Sequence, residues 1–456
     1  MKKTTTLLLF LILFSACDST SAPPTPVTTD SATQPSTMLT EIPFAAGYGY
    51  ESAWFELYFT NPNSSLSSQE TGGIDAPLVE AINSAKLSVD VAIYSLSLNS
   101  IRNALLNAQD RGVQVRMVME SDNLGRTDPQ IIKDAGIPIL GDRREGLMHN
   151  KFVIIDKSEV WLGSMNLTDS GAYEDNNSMM RIRSVKISEN FIKEFDEMYV
   201  EDKFGDNITA ETPNPRVTID GTPVDTYFSP DDGVQAILVD IINTAQESIY
   251  FMAFSFTADP IGEAVRKRAQ DGVTVAGVMD DDQVASNIGT EFDAFRQAGL
   301  DVYRDGIAGQ MHHKTIIIDE NIVITGSYNF TNAAETRNDE TLIIIITKRL
   351  QNYLLLNFRE CMTKQNKAVT FYCPGRLFNL IVFYLISFQD LTRPMMKPQR
   401  KLVDRQSLLN APGELGVEFS FAFQPIVDTQ IREICSFEAL IRGVRGESAT
   451  SIMNQW

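Results

Sequence analysis

The three histidines of this 456-residue sequence all lie in two short segments with the same spacing of charged residues. In each segment a lysine follows a histidine by two residues, and an aspartate follows that lysine by five. The two sets are His149, Lys151 and Asp156, and His312, Lys314 and Asp319. Residues two apart on a β-strand face the same side, so each imidazole and its ammonium group are predicted to point together. Such a pair is suited to binding the charged oxygens of a phosphate.

A serine and an asparagine follow each segment at a fixed distance. Six residues separate each aspartate from a Gly-Ser-x-Asn sequence, which supplies Ser164 and Asn166 in the first case and Ser327 and Asn329 in the second. Their hydroxyl and amide groups add hydrogen-bonding groups to the imidazole and the ammonium, so we predict that these four residues bind the substrate phosphate. The alternative interpretation is that they only shape a turn.

The elements that carry these residues occur twice along the chain. Residues 81–96 match residues 241–256 at an offset of 160, and the two histidine segments match at an offset of 163. Each copy reads as a helix followed by a strand, and a glycine then separates a second helix from a second strand. We expect an α/β fold with two similar, mostly parallel sheets flanked by helices, with half 1 at 46–205 and half 2 at 206–364.

The two motifs together resemble the phospholipase D superfamily, whose members carry His-x-Lys-x4-Asp followed by Gly-Ser-x-Asn or Gly-Gly-x-Asn twice. The resemblance extends from about Trp54 to about Thr363. It implies a duplicated fold with one active site at the interface of the halves. It also implies a double displacement, in which one histidine attacks phosphorus and the other protonates the leaving oxygen and then activates water. No metal or cofactor is implied.

One difference between the copies could separate the roles of the two histidines. Family members often place a histidine-orienting carboxylate where Glu340 stands, whereas the matching residue of the first copy is Asn177. A carboxylate stabilises imidazolium more than an amide does. If each partner serves its own half, His312 is the acid and His149 the nucleophile, which is the assignment we expect. A partner that reaches across the interface would invert it. The expected assignment predicts that His149→Ala abolishes a phosphoenzyme that His312→Ala still accumulates.

The remaining motif residues are given weaker roles. Asp156 and Asp319 belong to the motif and are grouped with the catalytic residues, although we interpret them mainly as structural, positioning lysines or loops. His313 points to the opposite strand face from His312 and is expected to have no role.

The substrate is less well determined by the sequence than the chemistry. A formal net charge of −20 is unfavourable for a polyanionic partner, although it does not exclude a local basic groove. We slightly favour a phospholipid, with an endonuclease acting on DNA or RNA as the alternative and a non-catalytic phosphate-binding surface module as a second alternative. Because both motifs lie in one chain, we expect a functional monomer.

The N-terminus has the composition of an export signal. Lys2 and Lys3 precede an apolar run and then Ser-Ala-Cys17, which resembles a lipoprotein processing site. We predict a signal peptide at 1–17, lipidation of Cys17 and a disordered Ser/Thr/Pro tether at 18–45. The protein would then be an exported lipoprotein anchored to a membrane, in the periplasm or at the cell surface. Plain secretion and an uncleaved anchor are the alternatives.

The pattern changes after residue 364. Residues 365–415 read as an irregular linker, and residues 416–456 resemble the start of an EAL domain, in which Glu438 would be a metal ligand. Only about the first forty residues of that domain are present, so we interpret the segment as a non-functional fragment from a fusion, frameshift or truncated reading frame. We expect it to be poorly ordered. Three cysteines besides Cys17, at irregular spacing, predict neither a disulfide framework nor a zinc site.

Overall fold

The structure is a computed structural model that describes residues 39–205, 210–347 and 358, together with the backbone of 419–428 and 433–443. The chain divides into two compact units, residues 1–383 and 384–456. The first unit contains both copies of the histidine motif. The predicted signal peptide, Cys17 and residues 18–38 of the predicted tether lie outside the described residues, as does most of the segment from 365 onward.

Nine strands and five α-helices form the first half. The strands are β1 Thr40–Phe44, β2 Gly47–Glu51, β3 Phe55–Thr60, β4 Ser88–Ile93, β5 Gln114–Met119, β6 Ile139–Gly141, β7 Lys151–Ile155, β8 Glu159–Gly163 and β9 Ser178–Arg183. The helices are α1 Asp75–Ser84, α2 Asn99–Asp110, α3 Thr127–Asp134, α4 Asp169–Tyr173 and α5 Val185–Tyr199. All nine strands join one sheet in the order β1-β2-β3-β9-β8-β7-β4-β5-β6.

The second half repeats this arrangement. Its strands are β10 Arg216–Ile219, β11 Thr222–Ser229, β12 Ser248–Ala253, β13 Thr274–Met279, β14 Asp301–Arg304, β15 Lys314–Ile318, β16 Ile322–Gly326 and β17 Glu340–Ile346. Its helices are α6 Val234–Asn243, α7 Asp259–Gln270, α8 Asp281–Ser286, α9 Glu291–Gln297 and α10 Asn332–Thr336. The sheet order is β10-β11-β17-β16-β15-β12-β13-β14. In this order the last seven strands, β11-β17-β16-β15-β12-β13-β14, correspond to the last seven of the first sheet, β3-β9-β8-β7-β4-β5-β6. The predicted duplicated α/β fold is confirmed.

The expectation of mostly parallel sheets is wrong. Within the described strands, only β4-β5 and β5-β6 pair in parallel in the first sheet, and only β12-β13 and β13-β14 in the second. Parallel neighbours need a long crossover, which α2 and α3 supply in the first half, whereas two strands joined by a tight turn must pair antiparallel. Between β7 and β8 the chain turns within three residues, with Asp156 and Lys157 at φ angles of 52° and 58°. That turn commits each motif strand to antiparallel pairing.

The N-terminal boundary also differs from the prediction. Residues 40–44 form β1, which pairs antiparallel with β2 at the edge of the first sheet. The predicted disordered tether, 18–45, is therefore wrong for these residues. An alternation of exposed and partly buried side chains along β1 is typical of an edge strand, and the tether composition hid this short pattern.

The two halves share one hydrophobic core between their sheets. Buried side chains of α5 lie in the same cluster as residues of the second sheet, and the Phe191 and Phe228 rings meet edge to face at 5.2 Å. Phe152 of β7 packs against Phe191 at 5.1 Å. Each half also has its own cluster beneath the helices of its outer face. The shared core fixes the two motif strands relative to one another.

The second unit contributes an antiparallel pair of strands. β18 Phe419–Asp428 and β19 Glu433–Gly443 pair along their length, with a register shift at Ile426 and Val427. The predicted resemblance to the start of an EAL domain, and the expected poor order from residue 365, fall mostly on residues outside those described. Among the described helices, none combines the length and apolar character needed to cross a bilayer.

Candidate active site

Each motif begins at the same place in its sheet. Lys151 opens β7 opposite Ile93, the last residue of β4, and Lys314 opens β15 opposite Ala253, the last residue of β12. The motif therefore lies at the carboxyl edge of the parallel strands in each half. The apolar residues that continue β7 and β15 are buried, which anchors the lysine and the preceding histidine.

Backbone bridges across the interface bring the two motifs together. The His149 amide donates to the Asp339 carbonyl at 3.0 Å, and the His312 amide donates to the Asn176 carbonyl at 2.9 Å. Asp339 and Asn176 come directly before the residues proposed to orient the histidines. The chain in each half thus delivers its orienting side chain to the histidine of the other half.

The pairing of side chains follows from these bridges. Glu340 Oε2 lies 2.7 Å from His149 Nδ1 and accepts a hydrogen bond from Ser327 Oγ at 2.8 Å. Asn177 Oδ1 lies 3.0 Å from His312 Nδ1. The assumption that each partner serves its own half is wrong, and the alternative left open by the sequence, pairing across the interface, is observed. The Glu340 carboxylate is therefore the hydrogen-bond partner of His149.

The orientation of the Asn177 amide fixes the proton on His312. Asn177 Nδ2 donates to the Gly171 carbonyl at 2.9 Å, and Oδ1 accepts from Ser164 Oγ at 2.8 Å. An amide oxygen can only accept, so His312 must donate through Nδ1, which leaves Nε2 with a free electron pair. Glu340 fixes the same tautomer on His149.

Burial and charge make the two imidazoles unequal. Burial lowers the pKa of His149 to about 4, against the opposing effect of the adjacent Glu340 carboxylate. Burial also lowers the pKa of His312 well below its ordinary value, and the nearby Lys314 and Lys151 charges lower it further. Both imidazoles are therefore neutral in the free site, and the Glu340 carboxylate favours a proton on His149 more than the Asn177 amide favours one on His312.

The two lysines occupy equivalent positions beside the histidines. Lys151 Nζ donates to the His149 carbonyl at 2.9 Å, and Lys314 Nζ donates to the His312 carbonyl at 2.7 Å. Burial lowers the pKa of Lys151 to about 7 and that of Lys314 well below its ordinary value. A bound phosphate would restore their charge, because a nearby negative charge stabilises the ammonium form.

The predicted phosphate-binding residues divide into two kinds. Ser164 and Ser327 use their hydroxyl hydrogens on Asn177 and Glu340, so the structure gives them orienting contacts, and a phosphate contact remains a prediction. Within the part of the chain that the structure describes, Asn166 Oδ1 and Asn329 Oδ1 are buried without a hydrogen-bond partner. Of the four predicted phosphate-binding residues, these two therefore have a buried side-chain oxygen that no hydrogen bond satisfies among the described residues.

The glycine before each serine has a steric reason. A Cβ at Gly163 would lie 2.2 Å from the Ser178 carbonyl oxygen, and one at Gly326 would lie 2.1 Å from that of Thr341. Only glycine lets the neighbouring strand pass this close, which places each serine beside its orienting partner.

The grouping of Asp156 and Asp319 with the catalytic residues is wrong. Both lie at the far end of the motif strands, about 16 Å along the chain from the lysines at the usual strand rise. Asp156 accepts from the amides of residues 86–88 at 2.6–3.1 Å, and Asp319 accepts from those of 246–248 at 2.7–3.1 Å. Each aspartate closes the turn that precedes β4 or β12. The two aspartates therefore position loops, which was one part of the structural interpretation, and among the described residues they make no contact that positions the lysines.

Several residues of the site escaped the sequence reasoning. Tyr94 and Phe254 place their rings edge to face against His149 and His312, with ring centres 5.2 and 4.6 Å apart. Carboxylate oxygens of Glu120 and Asp280 accept from the amides that precede the histidines, at 3.0 and 2.9 Å. Both pairs occupy positions 160 apart, directly after matching strands. The repeat offset could therefore have identified them.

His313 remains without an assigned role. Its side chain is fully buried, and neither ring nitrogen has a hydrogen-bond partner among the described residues. Asn150, the matching residue of the first half, donates to Glu194 at 3.2 Å and accepts from Thr341 at 2.5 Å. No cluster of three or more metal-ligating side chains occurs in the described ranges.

The amino-acid sequence of this chain is similar to those of known proteins. A family model described as cardiolipin synthase, PLD-like domain, matches residues 78–199 and 238–362, which together exceed half of the chain. The chain is 36% identical over 146 residues to a phospholipase D of Rickettsia prowazekii, covering 31% of this chain and 69% of that protein. It is 36% identical over 112 residues to a mitochondrial cardiolipin hydrolase of Chlamydomonas reinhardtii, covering 25% of this chain and 50% of that protein.

A solved structure also matches part of the chain. Nuc from Salmonella typhimurium, described as a phospholipase D family member, is 30% identical with a TM-score of 0.30. The match covers 31% of this chain and 95% of that one.

Proposed function

This chain belongs to the phospholipase D superfamily and is a phosphodiester hydrolase, and on that basis we propose that it cleaves its substrate through a phosphohistidine on His312. His149 is the general acid of the first step and the general base of the second. The observation that carries the proposal is the pairing across the interface, in which Glu340 bonds His149 and Asn177 bonds His312. The order of roles is the reverse of that expected from own-half pairing.

In the first step, the Nε2 electron pair of His312 forms a bond to phosphorus as the bond from phosphorus to the leaving oxygen breaks. The Nε2 proton of His149 passes to that oxygen. In the second step, neutral His149 takes a proton from water while the water oxygen bonds to phosphorus, and the P–N electron pair returns to His312. The geometry supports these roles because both Nδ1 atoms are occupied by their orienting partners.

Phosphate binding supplies the charge that the acid needs. The pKa of His149 is about 4 in the free site, where burial outweighs the effect of Glu340. A phosphodiester brings a negative charge between the two histidines, which favours protonation of His149 and of both lysines. Asn177 carries no charge, so His312 gains less from its own partner and remains the nucleophile.

The decisive experiment compares the two histidine variants with a p-nitrophenyl diester, whose leaving group departs without a proton. We expect His149→Ala to accumulate phosphohistidine at residue 312, because water is no longer activated. His312→Ala should form none and lose at least about 10⁴-fold in rate. Peptide mass spectrometry would locate the phosphoryl group. His313→Asn is the matched control, since it gives the second half the residue that the first half has at 150.

Phosphohistidine at residue 149 in the His312→Ala protein would reverse the assignment. The absence of any phosphoenzyme in both variants, together with unchanged rates, would reject double displacement at these histidines.

For the substrate we propose a phospholipid. The supporting observations are the names of the relatives, phospholipase D and mitochondrial cardiolipin hydrolase, and the net charge of −20. Headgroup release from phospholipid vesicles should be measured beside nicking of plasmid DNA, each with and without chelator. We expect headgroup release and less than a twofold effect of chelator, because the histidines and lysines supply the charges. Nicking alone would make the protein an endonuclease, and phosphate binding without cleavage would make it a binding module.

Export and lipid anchoring through Cys17, and function as a monomer, are further proposals that rest on the sequence. Cys17→Ser should release the protein from the membrane fraction. A protein that stays membrane-bound after this change would be held by something other than lipidation of Cys17.

A further inference from the structure

The aromatic residues beside the two histidines differ by a single hydroxyl group. Tyr94 and Phe254 directly follow the matching strands β4 and β12, at positions 160 apart. Each ring lies against the histidine of its own half and over the lysine, with Lys151 Nζ 5.5 Å from the Tyr94 ring centre and Lys314 Nζ 4.6 Å from that of Phe254. Both residues are partly exposed, unlike the buried histidines and lysines.

These contacts make each ring a wall of the site beside the histidine of its own half. An edge-to-face ring confines an imidazole, and the ring face stabilises an ammonium. Phenylalanine does both as well as tyrosine. The hydroxyl of Tyr94 is therefore not needed to position the histidine or the lysine, and it is present only on the side of His149.

The surroundings keep the Tyr94 phenol in its donor form. Burial raises its pKa above the ordinary value, and the Glu120 charge raises it further, against the opposing effect of a side-chain hydrogen bond with Asn123. Asn123 Nδ2 donates to the Tyr94 carbonyl at 2.7 Å and holds the backbone of that wall. A protonated phenol at a partly exposed wall can donate to a substrate.

We propose that Tyr94 is a specificity-determining residue, whose phenol hydrogen-bonds a hydroxyl group on the alcohol that leaves from the His149 side. This inference rests on the proposed function, because it takes His149 as the acid next to the leaving group. The chemical class that it selects is a diester whose departing alcohol carries a further hydroxyl, whether that alcohol belongs to a lipid headgroup or to a sugar. The other wall, Phe254, offers no such donor.

The test uses one diester that contains both choices. In phenyl 3-(hydroxymethyl)phenyl phosphate the two aryl groups have nearly equal leaving ability, and only one carries a hydroxyl. The ratio of the two released phenols, measured by chromatography, is an internal comparison that does not depend on the overall rate. We expect the full-length protein to release the hydroxymethyl product about fivefold faster, the value of one neutral hydrogen bond. Tyr94→Phe should bring the ratio to about one.

Phe254→Tyr is the matched variant, because it adds a phenol on the side of the nucleophile. It should leave the ratio near fivefold. A ratio near one in the wild type, an unchanged ratio in Tyr94→Phe, or a ratio lost in Phe254→Tyr would each overturn the inference while cleavage itself upholds the proposed function. If the wild type cleaves neither ester, the proposed function fails and this inference fails with it.

Discussion

Asn177 in the first half and Glu340 in the second occupy the same position and share two contacts. Each accepts from a serine thirteen residues earlier and from the histidine of the opposite half. What differs is the charge on the acceptor. A duplicated site can thus keep its geometry in both halves and still give its two histidines partners of different charge, which is the basis of the proposed division into acid and nucleophile.

A second pair of matching positions, Asn150 and His313, differs in hydrogen bonding. Asn150 has hydrogen-bond partners in Glu194 and Thr341, whereas His313 is buried without one in the described part of the chain. The halves therefore differ at the position that orients a histidine and at another position where only one half has hydrogen-bond partners for its side chain among the described residues. Variants at these positions can separate the two kinds of divergence.

The largest effect should come from removing the difference in charge between Asn177 and Glu340. Glu340→Gln keeps the shape of the side chain and removes the carboxylate that raises the pKa of His149. A lower pKa leaves less protonated His149 at a given pH, so the alkaline limb of the kcat/KM profile should move to lower pH. We expect about a hundredfold loss with alkyl leaving groups and much less with p-nitrophenol. A shift of the acidic limb instead would make His149 the nucleophile.

The next comparison concerns the two turn-closing aspartates, which should behave alike. Asp156→Ala and Asp319→Ala each remove a carboxylate that accepts from three backbone amides. We expect each variant to lose about 2 kcal/mol of unfolding free energy, because the amides then have water as their only alternative. Urea denaturation would measure the loss, and kcat of the folded protein should be unchanged. A hundredfold fall in kcat without a loss of stability would restore these aspartates to the catalytic group.

The unpartnered histidine should make stability depend on pH. Burial lowers the pKa of His313 to about 3, below its ordinary 6.5, so the unfolded chain binds more protons between these values. Stability is then complete above pH 6.5 and falls as the pH decreases toward 3. His313→Leu should remove this dependence, worth about 2 kcal/mol at pH 5 and almost nothing at pH 7. Asn150→Leu, in contrast, should destabilise at both pH values because it leaves Glu194 and Thr341 without their partner.

The smallest effect should come from making the first half resemble the second. Asn177→Asp places a negative charge beside His312 and raises its pKa, so less of the neutral nucleophile is present at a given pH. The acidic limb of the kcat/KM profile should move to higher pH, with about a tenfold loss below that limb. An effect on the alkaline limb alone would show that residue 177 acts on the acid. Together with Glu340→Gln, this variant tests both sides of the comparison.

Much of the fold could be predicted because the repeat is strong. The glycine between helix and strand, and the apolar runs after Lys151 and Lys314, identified β5, β7 and their counterparts. The sheet type was wrong because apolar strands read alike in parallel and antiparallel pairing, and the short turns at Asp156 and Asp319 decided it. The edge strand β1 was missed because five residues next to a Ser/Thr/Pro segment give too short a pattern.

The sequence predicted which histidines and lysines lie in the site, but it did not predict which orienting residue contacts which histidine. The spacing of two residues was enough to group each histidine with its lysine. Whether Glu340 would serve His312 or His149 depends on the backbone bridges at Asn176 and Asp339, which join residues 135 or more apart in the chain. No local pattern encodes such a bridge. Tyr94 and Phe254 were overlooked because aromatic residues at strand ends are common in cores.

The bridges across the interface have a consequence for how such a protein can change over time. If two identical chains formed this site, one substitution at the orienting position would alter both histidines at once. With both halves in a single polypeptide, Asn177 and Glu340 are separate codons, and each can vary while the other histidine keeps its partner. Covalent linkage thus gives a symmetric architecture the freedom to specialise one reactive centre at a time.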